Sequence, residues 1–280
     1  MMSEQISFTK MHGIGNDFVV IDNRKNCYRQ VQKNSKLILD RHYGIGADQI
    51  LLIEESESNY PFMRVYNSDG STAEMCGNGI RAVAIYLKEN DKASFPDSEI
   101  KVETDAGLIV CQIRDDNMVR VEMGSPILDG LAIPTVFDKV LINEPLKIGS
   151  SEYHITAVSM GNPHAVIFVD DVSEVDLAKE GALIENATSF FPNKINVEFV
   201  EVVSESKLKV RVWERGAGET LACGTGASAS MVAASLNGKV ATEATISLPG
   251  GDLQLEFLDK KTIFMTGPAV SVFSGTILVD

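Results

Sequence analysis

Cys76-Gly77-Asn78-Gly79 and Cys223-Gly224-Thr225-Gly226 are the two stretches on which the reading of this chain turns. The first follows Val65-Tyr66-Asn67 and precedes Ala82. The second follows Val212-Trp213-Glu214 and precedes Ala229, and each of these landmarks matches at an offset of 147 residues. Upstream, Gly15-Asn16 with Val20-Ile21 matches Gly161-Asn162 with Val166-Ile167 at an offset of 146, and Gln49 falls opposite Asn196 at 147. Landmarks in one order at nearly one offset identify two related halves.

The local patterns repeat as well. Ile50 to Glu54 and Phe62 to Tyr66 are apolar, β-prone runs that predict a hairpin; Val197 to Val203 and Leu208 to Trp213 predict a second. Each hairpin leads into a loop and then its Cys-Gly-x-Gly. Ile80, Val83, Ala84 and Leu87 are spaced as one face of a helix. Ala227 to Ala234 is small on every side, which predicts a helix buried within its domain, capped by Gly238. Breaks at Gly124-Ser125-Pro126 and Gly267-Pro268 read as domain crossings. The expected organisation is therefore two α+β domains facing each other across a cleft. Residues 1–124 with a returning strand at 269–280 form the first, and residues 125–268 form the second.

Composition narrows the function. The chain has 280 residues, 25 basic against 39 acidic, for a net charge of −14. Such a protein repels phosphate backbones, so no nucleic-acid partner is expected. No apolar run approaches the ~18 residues that span a bilayer, and the first residues carry no secretory pattern, so the expected location is the cytoplasm without membrane attachment. The four cysteines, Cys27, Cys76, Cys111 and Cys223, fit no zinc spacing, and the histidines fit no metal pattern; no metal is expected.

A cysteine just ahead of Gly-x-Gly and a helix sits beside unpaired backbone N–H groups and the positive end of the helix dipole. That placement is expected to lower the thiol pKa and to bind a carboxylate. Two such sites suit a substrate with one α-carboxylate: a thiolate removes the α-proton from one face, and a thiol delivers a proton to the other. Cys27 and Cys111 precede no Gly-x-Gly and read as small buried hydrophobes. His164 reads either as a structural histidine or as a group tuning a thiol, and Glu214-Arg215 as either a surface ion pair or part of the site.

Asn67-Ser68-Asp69-Gly70-Ser71, four residues, then Cys76-Gly77-Asn78-Gly79-Ile80-Arg81 resembles the signature of the diaminopimelate epimerase family. Met11-His12-Gly13-Ile14-Gly15-Asn16-Asp17-Phe18 resembles that family's opening motif, and Gly161-Asn162-Pro163-His164, Glu214-Arg215-Gly216 and Ala222-Cys223-Gly224-Thr225-Gly226 resemble its second half. The resemblance implies two pseudosymmetric domains, each a strongly curved, mostly antiparallel sheet around a central helix, with the active site between them. It implies interconversion of LL- and meso-diaminopimelate without a cofactor, in lysine and bacterial peptidoglycan precursor synthesis. Cys76 and Cys223 would be the acid–base pair, assisted by His164 and Glu214. Gly77, Asn78, Gly224 and Thr225 would hold the reacting carboxylate. Asn16, Gln49, Asn67, Asn162, Asn196, Glu214 and Arg215 would contact substrate. A homodimer is expected; Phe273 stands where relatives often carry a tyrosine near the dimer contact. Four other readings compete. A proline or hydroxyproline racemase binds no distal amino-acid group. A phenazine-pathway isomerase lacks the cysteine pair. A non-catalytic amino-acid binding module needs the helix-end carboxylate site but no paired thiols, and a redox-sensing dithiol is the fourth reading.

Overall fold

The computed structural model describes residues 3–280. The described residues divide into two compact units, one of residues 3–121 with 267–280 and one of 122–266.

In the first unit the elements run β1 (Glu4–Gly13), β2 (Asn16–Asp22), α1 (Ser35–Leu39), β3 (Gln49–Glu54), β4 (Phe62–Tyr66), β5 (Thr72–Ala73), α2 (Gly77–Asn90), β6 (Glu99–Thr104), β7 (Gly107–Ile113) and β8 (Met118–Gly124). The second runs β9 (Glu144–Ile148), β10 (Ser151–Ser159), β11 (Pro163–Val169), α3 (Leu177–Glu185), β12 (Asn196–Ser204), β13 (Lys207–Glu214), β14 (Gly218–Thr220), α4 (Gly224–Leu236), β15 (Glu243–Leu248), β16 (Gly251–Leu258) and β17 (Thr262–Pro268). The last strand, β18 (Val270–Val279), belongs to the first unit and pairs antiparallel with β1, Glu4 opposite Val279.

Both units follow one topology. β1 and β2 are antiparallel, β2 and β3 parallel, β3 and β4 antiparallel, and β4 runs parallel to β6. The second unit repeats this with β10 and β11, β11 and β12, β12 and β13, and β13 with β15. The hairpin pairings β9–β10, β13–β14, β15–β16, β16–β17, β4–β5, β6–β7 and β7–β8 are antiparallel. The fold is therefore α+β, mostly strand. In each unit the sheet bends round its longest helix: α2 packs on β1, β2, β3, β6, β7 and β18, and α4 on β10, β11, β12, β13, β15 and β16.

This enclosure explains the helix compositions. α4 is buried without interruption from Gly226 to Ala234, so strands on every side can approach only because its side chains are small. Its two serines do not waste their hydroxyls. Ser228 Oγ donates to Gly224 O at 2.9 Å and Ser230 Oγ to Gly226 O at 2.8 Å, the back-bonding open to serine inside a helix. Gly238, with φ of +67°, follows the helix end as a left-handed cap.

The strands next to these helices are covered on both faces. In β3, Ile50 and Leu52 pack in a core with Ile6, Val19, Ile21 and Ile38, while Leu51 faces Gly79 of α2. In β12, Val197 and Phe199 pack in a core with Leu177, Ile184 and Phe191, while Glu198 faces Gly226 of α4. Alternation along a strand sends neighbours to opposite faces, and here neither face is solvent. Each fully buried Leu, Ile or Val in these layers contributes roughly 1.5–3 kcal/mol.

Candidate active site

Cys76 is the N-cap residue of α2 and Cys223 that of α4. Their backbones are nearly the same, φ −134°, ψ 112° and φ −128°, ψ 111°. Each Sγ accepts a hydrogen bond from the third residue of its helix, Gly79 N in one case and Gly226 N in the other, both at 3.3 Å. Each carbonyl takes the first helical bond, from Ile80 N and Ala227 N, both at 2.9 Å. The sulfur thus does the work of a serine or aspartate cap. The N–H groups of Gly77 and Asn78, and of Gly224 and Thr225, belong to the first turn and have no helical carbonyl to bond. The second glycine of each motif is there for close approach. A Cβ on Gly79 would lie 2.9 Å from Leu51 Cδ2, and one on Gly226 would lie 2.8 Å from Glu198 Oε1.

In the first unit, Asn16 reaches the cysteine from the start of β2. Its Oδ1 accepts from Asn78 Nδ2 at 3.1 Å and from the Cys76 thiol at 3.9 Å, and its Nδ2 donates to Asp48 Oδ2 at 2.8 Å. Gln49, next to Asp48, donates through Nε2 to Asn67 Oδ1 at 3.0 Å. Asp48 and Asp17 are bridged by Arg41, and Lys10 also pairs with Asp17. Burial alone would raise the Asp17 carboxyl, but hydrogen bonds and charge from Arg41 and Lys10 outweigh it and hold it well below the usual carboxylate range.

In the second unit, His164 is fully buried. Its Nδ1 lies 2.7 Å from Glu198 Oε1 and its Nε2 lies 2.9 Å from Asn162 Oδ1. Asn196 donates to Pro163 O and accepts from Arg215 N, both at 2.8 Å, which ties the loop after β13 to β12. Arg215 is exposed, with Nη1 donating to Asn193 O at 3.1 Å. Glu214 accepts from Thr220 Oγ1 at 2.6 Å, and Cys223 Sγ shares a hydrogen bond with Thr225 Oγ1 at 3.4 Å.

Two expectations need correction. Helix-start geometry alone predicts a lowered pKa at both thiols. At Cys223 the opposite holds: burial, then the Glu214 and Glu198 carboxylates, push its thiol well above the ordinary value, and the hydrogen bonds from Thr225 and Gly226 do not compensate. Cys27 is the second. Cys111 is fully buried, and burial pushes its thiol up to about 12, whereas Cys27 is exposed on the loop after β2. A short polar stretch, Arg24-Lys25-Asn26, carries that loop over the surface.

Two residues beside these sites were missed by the candidate set. Arg81 and Glu198 are both completely buried. Arg81 was part of the quoted signature but reads as the polar side of an amphipathic helix; Glu198 reads as the solvent position of an alternating strand. No cluster of three or more metal-binding side chains occurs among the described residues, and none of their helices is long and apolar enough to cross a membrane.

A mostly antiparallel sheet curved round a helix, built twice in one chain, defines a class of proteins by fold. The same fold occurs in a hydroxyproline epimerase from Agrobacterium vitis, with a TM-score of 0.73 at 14% identity over 100% of this chain and 93% of that one. It also occurs in a phenazine biosynthesis protein from Bacillus anthracis, with a TM-score of 0.71 at 14% identity over 99% of this chain and all of that one. Within that class, residues 8–128 and 156–272 match the family model for diaminopimelate epimerase. The diaminopimelate epimerase of Carboxydothermus hydrogenoformans is 50% identical over 96% of this chain and 98% of its own length. That of Synechococcus elongatus is 47% identical over 97% and 98%. The chain belongs to the diaminopimelate epimerase family and is an isomerase.

Proposed function

We propose that this enzyme interconverts LL- and meso-2,6-diaminopimelate by a two-base mechanism in which Cys76 and Cys223 are the acid–base pair and no cofactor takes part. The observation that carries the reading is the duplicated cap. Two sulfurs with the same backbone conformation each sit beside first-turn N–H groups suited to a carboxylate.

In this reading the N–H groups of Gly77, Asn78, Gly224 and Thr225 hold the α-carboxylate, where negative charge accumulates as the α-proton leaves. Stabilising that charge is the main catalytic burden, because an amino acid's α-proton is very weakly acidic. The thiolate takes the proton from one face of the α-carbon and becomes a thiol. The thiol on the opposite face gives up its proton and becomes a thiolate, so the configuration inverts and the total proton count is unchanged. His164 and Glu214 assist the thiols. Asn16, Gln49, Asn67, Asn162, Asn196, Glu214 and Arg215 recognise the substrate, including its distal ammonium and carboxylate, both costly to bury without partners. That demand favours diaminopimelate over proline, which has no such end. The product would enter lysine and peptidoglycan precursor synthesis in the cytoplasm.

A homodimer fits the exposed side chains of β18, where Val270, Val272, Phe273 and Leu278 are exposed and Phe273 meets Phe8 edge-on at 5.9 Å.

The test is an epimerisation assay with LL-diaminopimelate under reducing conditions, with proline as the comparison substrate. Inversion of diaminopimelate and not of proline is the expected result; the reverse would make this a racemase of cyclic amino acids. Arg215→Lys keeps the charge but loses the two-pronged carboxylate geometry, so turnover should fall by about tenfold or more. Unchanged kinetics would remove Arg215 from the substrate contacts.

A further inference from the structure

Glu185, the last residue of α3, is a buried carboxylate that the two-cysteine mechanism does not use. At the repeat offset of 147 it falls opposite Ile38 of α1, and Trp213 falls opposite Tyr66. Ile38 and Tyr66 lie together in one apolar core. In the second unit the corresponding junction of helix and strand is made with a charged group.

Both carboxylate oxygens are occupied. Oε2 accepts from the Trp213 indole Nε1 at 2.8 Å, and Oε1 accepts from Gly216 N at 3.1 Å and from Lys194 Nζ at 3.3 Å. Trp213 comes this close because Gly181, one turn earlier on α3, has no side chain; a Cβ there would lie 2.7 Å from Trp213 Cβ. Burial alone would raise the Glu185 carboxyl, but the bonds from Trp213, Gly216 and Lys194 outweigh it and hold the group below the usual carboxylate range.

These donors have a pattern. Trp213 and Gly216 bracket Glu214-Arg215, so one carboxylate fixes the chain on both sides of that pair. Lys194 belongs to the segment that receives Arg215: Asn193 O accepts from Arg215 Nη1 at 3.1 Å, and Asn196 Oδ1 accepts from Arg215 N at 2.8 Å. Glu185 thus closes a ring of hydrogen bonds around an arginine whose own side chain is exposed. An apolar residue such as Ile38 is less costly to bury, since an ionised group gives up its hydration. It could not hold the indole ring and the Gly216 backbone at once. In the first unit the matching turn is closed from within: Asn67 N donates to Ser71 O at 2.9 Å, Asn67 Nδ2 to Ser71 Oγ at 3.0 Å, and Ser71 N to Asp69 Oδ1 at 2.9 Å. Only the turn that carries Glu214-Arg215 is clamped by a carboxylate from a neighbouring helix.

We propose, on the reading of Arg215 as a substrate contact, that Glu185 is a positioning residue that holds Arg215 to receive a second carboxylate, and so favours amino acids that carry one at their far end.

A double-mutant cycle on the full-length enzyme with LL-diaminopimelate tests this. Glu185→Gln keeps the size of the side chain but turns an N–H toward one of its donors, Trp213 or Gly216. KM should rise by about tenfold while kcat falls by less than about threefold. In an Arg215→Lys background the same substitution should change KM by less than about twofold, because the geometry it disturbs is already lost. A glutamate that serves stability alone would lower the active fraction, and with it kcat, by the same factor in both backgrounds and leave KM unchanged. Should Glu185→Gln fail to fold, Trp213→Phe takes its place in the cycle; it removes one donor and keeps a ring, and KM should rise by about threefold. Unchanged KM in the single variant, or equal rises in both backgrounds, with Arg215→Lys itself impaired, overturns the proposal and leaves the substrate role of Arg215 standing. Wild-type kinetics in Arg215→Lys overturns that role, and the proposal with it.

Discussion

The helix starts at Cys76 and Cys223 agree within a few degrees in φ and ψ and make the same cap bond at the same length, yet their surroundings differ in charge. Around Cys76 stand amides and a buried guanidinium; around Cys223 stand a buried histidine–carboxylate pair and a second glutamate. Duplication supplies two equivalent pieces of backbone, each offering a sulfur and a short row of N–H donors. Side chains then make them inequivalent. In the proposed two-base reading one sulfur must be protonated while the other is not.

The largest expected effect tests the part the two regions share. Cys76→Ala and Cys223→Ala should each lower the epimerisation rate by about a thousandfold or more, since each half of an inversion needs its own group. Cys27→Ala, on its exposed loop, should leave the rate unchanged. A single catalytic-cysteine variant that retained near-normal turnover would break the equivalence of the two caps.

A smaller effect separates them. Gly79→Ala pushes a methyl against the end of Leu51, which has rotamers to give. Gly226→Ala pushes it against a carboxylate held by His164. Both overpack, at about 1–3 kcal/mol, with Gly226→Ala the more costly. Urea unfolding of the two variants checks the order, and a larger loss at Gly79 would show that Glu198 is less fixed than described.

How much of this could be read from sequence follows from the same alternation. The hairpins, the two central helices and the returning strand were legible, because each is announced by a period-two or period-3.6 pattern and bounded by Gly or Pro. So was the placement of each Cys-Gly-x-Gly at a helix start, because the motif occurs twice at one offset and an apolar or small-residue run follows each copy. Arg81 and Glu198 were not. Ile80, Val83, Ala84 and Leu87 suggest a one-sided helix with Arg81 outside, and Val197-Glu198-Phe199 suggests a one-sided strand with Glu198 outside. Both patterns were read with the correct period, but each element is covered all round, and periodicity cannot report how many faces are covered. Cys27 erred in the other direction: residue type favours burial, and a polar loop overrode it.

A still smaller effect concerns the charged cluster peculiar to the first unit. Asp17, at the second position of β2, is paired with Lys10 and Arg41. Its folded-state pKa lies below its unfolded value, so its contribution is complete above about pH 4 and is lost as pH falls through the depressed folded value. Asp17→Asn should cost about 1–2 kcal/mol at neutral pH, and the gap from wild type should close on acidification below about pH 4. Unfolding curves across that range check it; a gap that widened in acid would reverse the sign of the ion pair's contribution.

The most direct test of the paired-cysteine account is the reaction run in heavy water and sampled early. The thiol that delivers the proton exchanges with solvent, while the thiolate that removes one holds it and returns it before exchange. Early product should therefore carry deuterium at the inverted carbon, and recovered LL-diaminopimelate should carry almost none. Deuterium appearing equally in both, or product that kept its original hydrogen, would mean that a single group serves both faces, and the two cysteines would lose their roles.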